Sequence, residues 1–203
     1  LYQCMMAQTL WMKGQIEMMR SSNSFGTLIW QLNENWPTGG WGTIEYGPSR
    51  MLKGQLVGGR WKPLMYLLQQ SLFRDVFAAC GKYDHCYIRN DGVHPVDASV
   101  LLEAWNFREP KATRAINRRF RLDGGCHSTQ PFILPPAFME NADVVLIGIK
   151  DFHTGVSLIG PTTFLEKPPR SIPRLSSEVN ITIQLKELGN GAVSLQLSTD
   201  LLV

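Results

Sequence analysis

The chain has 203 residues, of which 44% are hydrophobic and 18% are charged, and its formal net charge at pH 7 is +3. This length suits one sizeable domain or two small ones, and the composition excludes a largely disordered protein. The charge is too mild to favour nucleic acid as a partner, because proteins that bind polyanions usually carry a clustered basic bias. No uncharged run reaches the roughly 20 residues of a membrane-spanning helix, so no membrane span is predicted.

Both ends of the chain have the pattern of a piece cut from a longer polypeptide. Residues 1–3 resemble the middle of a helix, and residues 201–203 are apolar rather than a polar tail. The chain has no initiator Met and no signal-peptide pattern. We therefore expect an internal or C-terminal fragment, for which the remainder of the parent polypeptide is a partner.

The first predicted element is an amphipathic helix over residues 2–20. Its apolar side chains recur at three- and four-residue steps at Tyr2, Met5, Met12, Ile16 and Met19. A methionine-rich stripe of this kind packs in a core far more often than it binds a cofactor. After a short loop at residues 21–24, the β-branched and apolar residues 26–30 predict a buried strand. A helix, a short loop and a buried strand are typical of an α/β step with parallel strands.

This strand and the loop after it concentrate groups that bind sugars. The segment runs from Phe25 to Trp41, with the sequence FGTLIWQLNENWPTGGW. Indole rings stack on the C–H faces of a sugar, and amide side chains bond to its hydroxyls. A buried strand that ends in such groups is how α/β folds build small-molecule sites. The candidate substrate-binding residues are Trp30, Asn33, Asn35, Trp36 and Trp41.

The rest of the chain changes from a loop and a helix to β-structure. Residues 42–60 contain five glycines and a proline, which indicates a long loop, and Pro63 begins a helix that runs to about Phe73. Period-two segments separated by turn residues then predict an antiparallel sandwich. Its strands are predicted at residues 76–80, 86–89, 98–105, 115–122, 130–134, 144–149 and 156–159. Residues 167–173 have the composition of a linker, and strands at 179–185 and 192–197 would form a hairpin that begins another β domain.

Two features are compatible with a secreted protein. Cys80 and Cys86 flank a GKYDH turn that would bring them face to face, so they are a candidate disulfide. Asn180 lies in an N-x-T sequon and is a candidate glycosylation site. The expected location is the secretory pathway, lysosomal or extracellular. The Cys and His residues between positions 80 and 127 lack the spacing of a structural zinc site, and the sequence predicts no metal and no cofactor.

A dense motif over residues 25–68 carries a resemblance to a known family. Its residues are Gly26, Leu28, Trp30, Gln31, Leu32, Asn33, Trp36, Trp41, Glu45, Tyr46, Gly47, Trp61, Lys62, Leu64 and Tyr66. These positions match the pattern G-x-L-x-W-Q-L-N-D-x-W-P/Q-x-x-S-W of the last barrel strand in glycoside hydrolase family 2, which is followed there by x-x-E-Y-G-G-x-W-K-x-L-H-Y. Within that family the chain resembles the β-mannosidases. It departs from the pattern at Glu34, Gly40 and Met65 and by extra residues at 48–59.

The resemblance implies a fold and a division into domains. Residues 1–73 would be the C-terminal end of a catalytic (β/α)8 TIM barrel, with the α/β character noted above. Residues 74–170 would be an Ig-like β-sandwich, and residues 171–203 would be the truncated start of a further β-sandwich.

The resemblance also implies an activity. The family is retaining and uses an acid/base Glu and a nucleophile Glu, and both positions precede Leu1, so no catalytic residue is expected in this chain. The expected function is cleavage of terminal β-D-mannosides from glycans or oligosaccharides, with this chain supplying substrate-binding residues but inactive alone. Alternatives are a β-glucosaminidase or an endo-β-mannosidase of the same family, and a non-catalytic carbohydrate-binding or structural module.

Each candidate residue also has a structural alternative. Trp30 would stack beneath the sugar by resemblance, or else fill the core at a strand end. Asn33 and Asn35 would bond sugar hydroxyls or fix their own loop. Trp36 and Trp41 would line the pocket or pack the loop onto the barrel, and packing is favoured for Trp41.

The two acidic residues of this loop need separate treatment, because glycoside hydrolysis depends on carboxylates. Glu34 and Glu45 lie eleven residues apart on one loop. A retaining pair must face each other across the sugar, about 5 Å apart, and neither residue matches a catalytic position of the family. We therefore expect structural or loop-anchoring roles for both.

Overall fold

The fold is known from a computed structural model that describes residues 2–24, 26–34, 40–45, 61–81, 85–106, 112–125, 128–165, 181–189 and 192–199. Helix α1 spans Tyr2–Ser21, which confirms the predicted first helix. Helix α2 spans Pro63–Leu67 and continues as a π-helical turn over Leu68–Leu72. Pro63 occupies the first turn, where a missing N–H costs no hydrogen bond.

Nine strands in the described part of the chain form three antiparallel sheets. They are β1 (Val76–Cys80), β2 (His85–Asn90), β3 (Val96–Trp105), β4 (Ala112–Leu122), β5 (Ser128–Ile133), β6 (Val144–Asp151), β7 (Thr162–Leu165), β8 (Ile181–Gly189) and β9 (Ala192–Thr199). The sheet orders are β1-β2-β5, β4-β3-β6-β7 and β8-β9. The hairpin predicted near the end of the chain is therefore confirmed as β8 and β9, while the predicted linker at 167–173 lies outside the described residues.

The first two sheets pack face to face and confirm the predicted β-sandwich. Alternate residues of β3 point inward, and Val100 and Leu102 are fully buried. They pack with alternate residues of β6 and with β1 and β2 in one apolar cluster. Because side chains alternate between the two faces of a strand, one face of each sheet supplies this core.

Strand β1 is buried on both faces along its whole length. Val76 and Ala78 point into the sandwich core, whereas Phe77 and Ala79 join a second cluster with the helices. From α1, Ile16 reaches this second cluster and is fully buried, although Tyr2 at the other end of the predicted apolar stripe is exposed. The helical segment therefore packs on the outer face of the three-stranded sheet.

The predicted buried strand over residues 26–30 is not seen. These residues form no strand, and Leu28 is 100% exposed. A strand exists only where a neighbouring strand takes its backbone hydrogen bonds. In the described part of the chain, the nearest such pairing is a single parallel bridge between Asn33 and Ile44.

The predicted strand over residues 156–159 is also wrong, because the last strand of the sandwich is β7, further along the chain. After the turn that follows β6, the chain forms one bridge between Ser157 and Lys150. The N–H of Gly160 then donates to Gln70 O at 2.7 Å, which draws the chain toward the helical segment. Regular pairing with β6 resumes only at Thr162.

Candidate functional site

Three indole rings line one open pocket of about 590 Å³ beside helix α1. They belong to Trp11, Trp30 and Trp41, which are 64%, 78% and 73% exposed. Exposed indoles are unusual on a folded surface, and grouped exposed aromatic residues mark binding sites. A flat indole presents an apolar face, so this pocket suits a ligand with apolar C–H faces and polar edges.

Helix α1 lines the pocket and is also hydrogen-bonded to the segment that carries Trp41. Gln8 and Trp11 are three residues apart and therefore share a helix face. The side chain of Gln8 donates from Nε2 to the backbone oxygen of Trp41 at 2.6 Å. The loop that carries Trp41 is thus attached to the helix that carries Trp11.

A short backbone ladder connects the Trp30 and Trp41 segments. The N–H of Glu34 donates to Ile44 O at 3.0 Å, and the N–H of Ile44 donates to Leu32 O at 3.0 Å. Between them, Gly42 lies so close that a Cβ would fall 2.6 Å from Asn33 C and from Glu34 N. Only glycine permits this close approach of the two backbones.

A buried ion pair lies beneath this ladder. The Lys62 ammonium and the Glu34 carboxylate are 2% and 3% exposed and are in direct hydrogen-bond contact. Lys62 Nζ also donates to Gly40 O at 2.8 Å. Burying an unpaired charge costs free energy, so each of these two groups needs the other to remain buried. Glu34 is therefore a loop anchor, in the role expected for it, and its carboxylate is held by Lys62.

The structure brings together two of the predicted site residues. Trp30 and Trp41 both line the pocket, and the exposure of Trp41 differs from the packing role that was favoured for it. Asn33 is exposed, and its Nδ2 donates to Glu34 O at 3.2 Å, so its amide bonds within its own loop. Asn35 and Trp36 lie outside the described residues.

The candidate disulfide is present, and neither of its cysteines lines the pocket. Cys80 and Cys86 face each other across β1 and β2 and form a disulfide. Asn180 lies outside the described residues. Within the described ranges, no group of three or more His, Cys, Asp or Glu side chains is arranged to hold a metal ion.

Three site residues escaped the sequence analysis. Trp11 and Gln8 were not predicted as site residues, although their three-residue spacing places them on one face of α1. Lys62 was noted only as part of a motif. Its partner Glu34 is 28 residues away, and nothing local in the sequence predicts that pairing.

The chemistry of the pocket is that of binding. Its described lining is aromatic, thioether, thiol, amide and backbone, and it contains no carboxylate, imidazole or ammonium group. Such a lining can stack on a ring and donate hydrogen bonds. It cannot supply the paired carboxylic acid and carboxylate of glycoside hydrolysis.

The chain is similar in sequence to one kind of known protein. No family model matches the chain. Over 122 residues the chain is 28% identical to the β-mannosidase of Rattus norvegicus, a match that covers 55% of this chain and 12% of that protein. The chain is similar to β-mannosidases. This finding confirms the resemblance carried by the motif at residues 25–68.

Solved structures show the same likeness in the fold. The crystal structure of a β-D-mannosidase from Dictyoglomus thermophilum matches 97% of this chain and 23% of its own, with a TM-score of 0.68 and 18% identity. The exo-chitosanase of Amycolatopsis orientalis matches 91% of this chain and 20% of its own, with a TM-score of 0.57 and 10% identity. The chain therefore spans a quarter or less of the length of these relatives. No described helix is long and apolar enough to cross a membrane.

Proposed function

We propose that the full-length protein is a retaining glycoside hydrolase that cleaves terminal β-D-mannosides from glycans or oligosaccharides. In this proposal the present chain supplies part of the sugar-binding wall, and the two catalytic glutamates lie elsewhere in the polypeptide. The observation that carries the proposal is the pocket of three exposed indoles at Trp11, Trp30 and Trp41. The sequence likeness to a β-mannosidase supports the choice of sugar.

The proposed domain organisation follows from the same likeness. Residues 1–73 would complete a (β/α)8 barrel, residues 74–170 would be the Ig-like sandwich, and residues 171–203 would begin a further β domain. The extended segment 26–32 supports the first assignment, because Leu28, Trp30 and Leu32 are exposed at alternate positions. Successive side chains of a strand point to opposite faces, so this alternation fits a barrel strand of which one face is not covered by residues of this chain.

The role of this chain in the reaction would be to hold the sugar. A retaining hydrolase forms a covalent glycosyl-enzyme on one carboxylate while the other donates a proton, and the two stand about 5 Å apart. Here the Glu34 carboxylate is buried against Lys62 and does not line the pocket. The indoles would stack on the sugar ring and exclude water from one side of it.

The proposed location is the secretory pathway, in a lysosome or outside the cell. The disulfide between Cys80 and Cys86 supports it, because such bonds persist mainly in oxidising compartments. Immunostaining of cells that express the full-length protein would test this. Staining of the cytosol would contradict the proposed location but would not bear on the proposed activity.

A panel of chromogenic glycosides tests the activity of the full-length protein. The proposal predicts hydrolysis of an aryl β-D-mannoside with retention of configuration, and little turnover of the matched β-D-glucoside. The control is the same protein after heat denaturation. If no glycoside is hydrolysed and no β-mannoside binds, the proposal is wrong.

A second candidate activity is exo-acting hydrolysis of β-D-glucosaminides. The likeness in fold to an exo-chitosanase favours it. The ammonium of a protonated amino sugar would also gain from an indole face, by a cation–π interaction. Faster hydrolysis of an aryl β-D-glucosaminide than of the β-mannoside would decide for this candidate.

A further inference from the structure

Lys62 has an unusual position for a lysine. It lies immediately before α2 with only 2% of its side chain exposed, and lysine is almost never buried to this degree unless it is paired. Its ammonium group carries three donor hydrogens. Two of its partners are known: the Glu34 carboxylate, and Gly40 O at 2.8 Å.

These two partners belong to the two segments that carry Trp30 and Trp41. Glu34 lies four residues after Trp30, and Gly40 directly precedes Trp41. Lys62 is therefore a direct link between the segment that carries one indole and the segment that carries the other.

The backbone at Trp41 is held on two successive carbonyl groups. Gly40 O accepts from Lys62 Nζ at 2.8 Å, and Trp41 O accepts from Gln8 Nε2 at 2.6 Å. Gln8 lies on α1, and Lys62 lies immediately before α2. Fixing both carbonyls fixes the two peptide planes on either side of the Trp41 Cα, and with them the direction in which the Trp41 side chain leaves the backbone.

We propose that Lys62 and Glu34 form a positioning pair that sets the spacing of Trp30 and Trp41, and thereby the affinity of the pocket for its sugar. Neither residue lines the pocket, so both act through the indoles. The carboxylate neutralises the buried ammonium and orients it toward Gly40 O. This inference rests on the proposed function for the identity of the ligand, whereas the positioning itself is a property of this chain.

The test replaces both charges together, because removal of one would leave the other buried and unpaired. The double variant Glu34→Leu with Lys62→Met has nearly the same volume, and apolar replacement of a buried ion pair often preserves the fold. In the full-length protein we expect normal circular dichroism and a KM for the aryl β-mannoside raised about tenfold. The value of kcat should stay within about twofold, because no catalytic group is touched.

A matched control uses another largely buried lysine–glutamate pair in the described part of the chain. Lys13 and Glu17 are in contact on α1, and neither lines the indole pocket. The double variant Glu17→Leu with Lys13→Met should leave KM unchanged. An unchanged KM in the folded Glu34→Leu, Lys62→Met protein would overturn the positioning role and leave the proposed function intact.

A measurement without substrate separates the two proposals. With 5-fluorotryptophan incorporated, the 19F resonances of Trp30 and Trp41 should shift in the Glu34→Leu, Lys62→Met protein, whereas that of Trp105 in the sandwich should not. Unshifted resonances would overturn the positioning role even if the protein hydrolyses no glycoside. If the double variant fails to fold, the KM and the 19F resonances are measured for Lys62→Arg instead. This substitution keeps the positive charge but displaces the donor from Gly40 O.

Discussion

Arg20 Nη2 lies 2.7 Å from Asp91 Oδ2, and this ion pair joins the end of α1 to the turn after β2. The same guanidinium donates to Leu72 O at 2.6 Å and to Arg74 O at 2.9 Å. Its carbon lies 4.5 Å from the centre of the Phe77 ring. One side chain thus fastens α1, the end of the π-helical turn and the sandwich to each other.

Replacing Arg20 by Met should loosen this junction while keeping the apolar stem over Phe77. We expect the free energy of unfolding of the full-length protein to fall by about 2–4 kcal/mol, because Asp91 Oδ2 and the carbonyls of Leu72 and Arg74 lose the Arg20 donor. Urea denaturation followed by circular dichroism measures the loss.

The control for Arg20 is an arginine–aspartate pair on the surface. Arg119 Nη2 lies 3.2 Å from Asp97 Oδ2, but half of the arginine side chain is exposed. Exposed pairs contribute little to stability, so Arg119→Met should cost much less than Arg20→Met. If Arg20→Met and Arg119→Met lowered the free energy of unfolding equally, the junction role of Arg20 would be contradicted.

Two glycine substitutions should change the free energy of unfolding of the full-length protein in opposite directions. Gly42→Ala would place a Cβ 2.6 Å from the backbone of Asn33 and Glu34, so we expect a loss of about 1–3 kcal/mol and a raised KM. Gly14 lies in α1 with open space around it, so Gly14→Ala should add about 0.5–1 kcal/mol. Urea denaturation gives both signs, and a tolerated Gly42→Ala would show that the two backbones are not in close contact.

The Asp97 carboxylate should make stability depend on pH in the acid range. His153 Nε2 lies 2.9 Å from Asp97 Oδ2. The hydrogen bond with His153, followed by that with Arg119, holds the pKa of Asp97 below its usual value of 3.8. A lowered pKa in the folded state means that this contribution is present above about pH 4 and is lost as the pH falls through the folded pKa.

Asp97→Asn tests this dependence. The variant should be less stable than the wild type at pH 6, and the difference in the free energy of unfolding should narrow as the pH falls below 4. Urea denaturation at several pH values measures it. A difference that is the same at pH 3 and pH 6 would show that the ionised carboxylate contributes nothing.

Most of the sandwich was predictable, because the strands from β1 to β6 each carry a local signal, whereas β7 was not predicted. In β3, Ala98, Val100 and Leu102 alternate with Ser99 and Glu103, and this alternation is enough to predict a strand with one buried face. The aromatic and amide residues around Trp30 led to the prediction of a sugar site by residue type alone, and Trp30 and Trp41 do line one pocket. Both inferences needed only neighbours in the sequence.

What the sequence could not predict depends on partners distant along the chain. Residues 26–30 have strand-like composition, but pairing requires a second strand, and none lies beside them in the described part of the chain. The segment predicted as a strand at residues 156–159 pairs with β6 at one bridge, between Ser157 and Lys150. Just after it, the N–H of Gly160 donates to Gln70 O and not to β6. The contact between Lys62 and Glu34 is likewise a product of the fold.

The affinity of the full-length protein for a β-mannoside, measured by calorimetry for the wild type and for Trp30→Ala, tests the central claim most directly. The matched control is Phe152→Ala, an exposed aromatic residue on the sandwich. We predict that Trp30→Ala weakens binding roughly tenfold, equivalent to about 1.4 kcal/mol, while Phe152→Ala has no effect. Equal affinity of the wild type and a folded Trp30→Ala protein would contradict the claim that this chain holds the sugar.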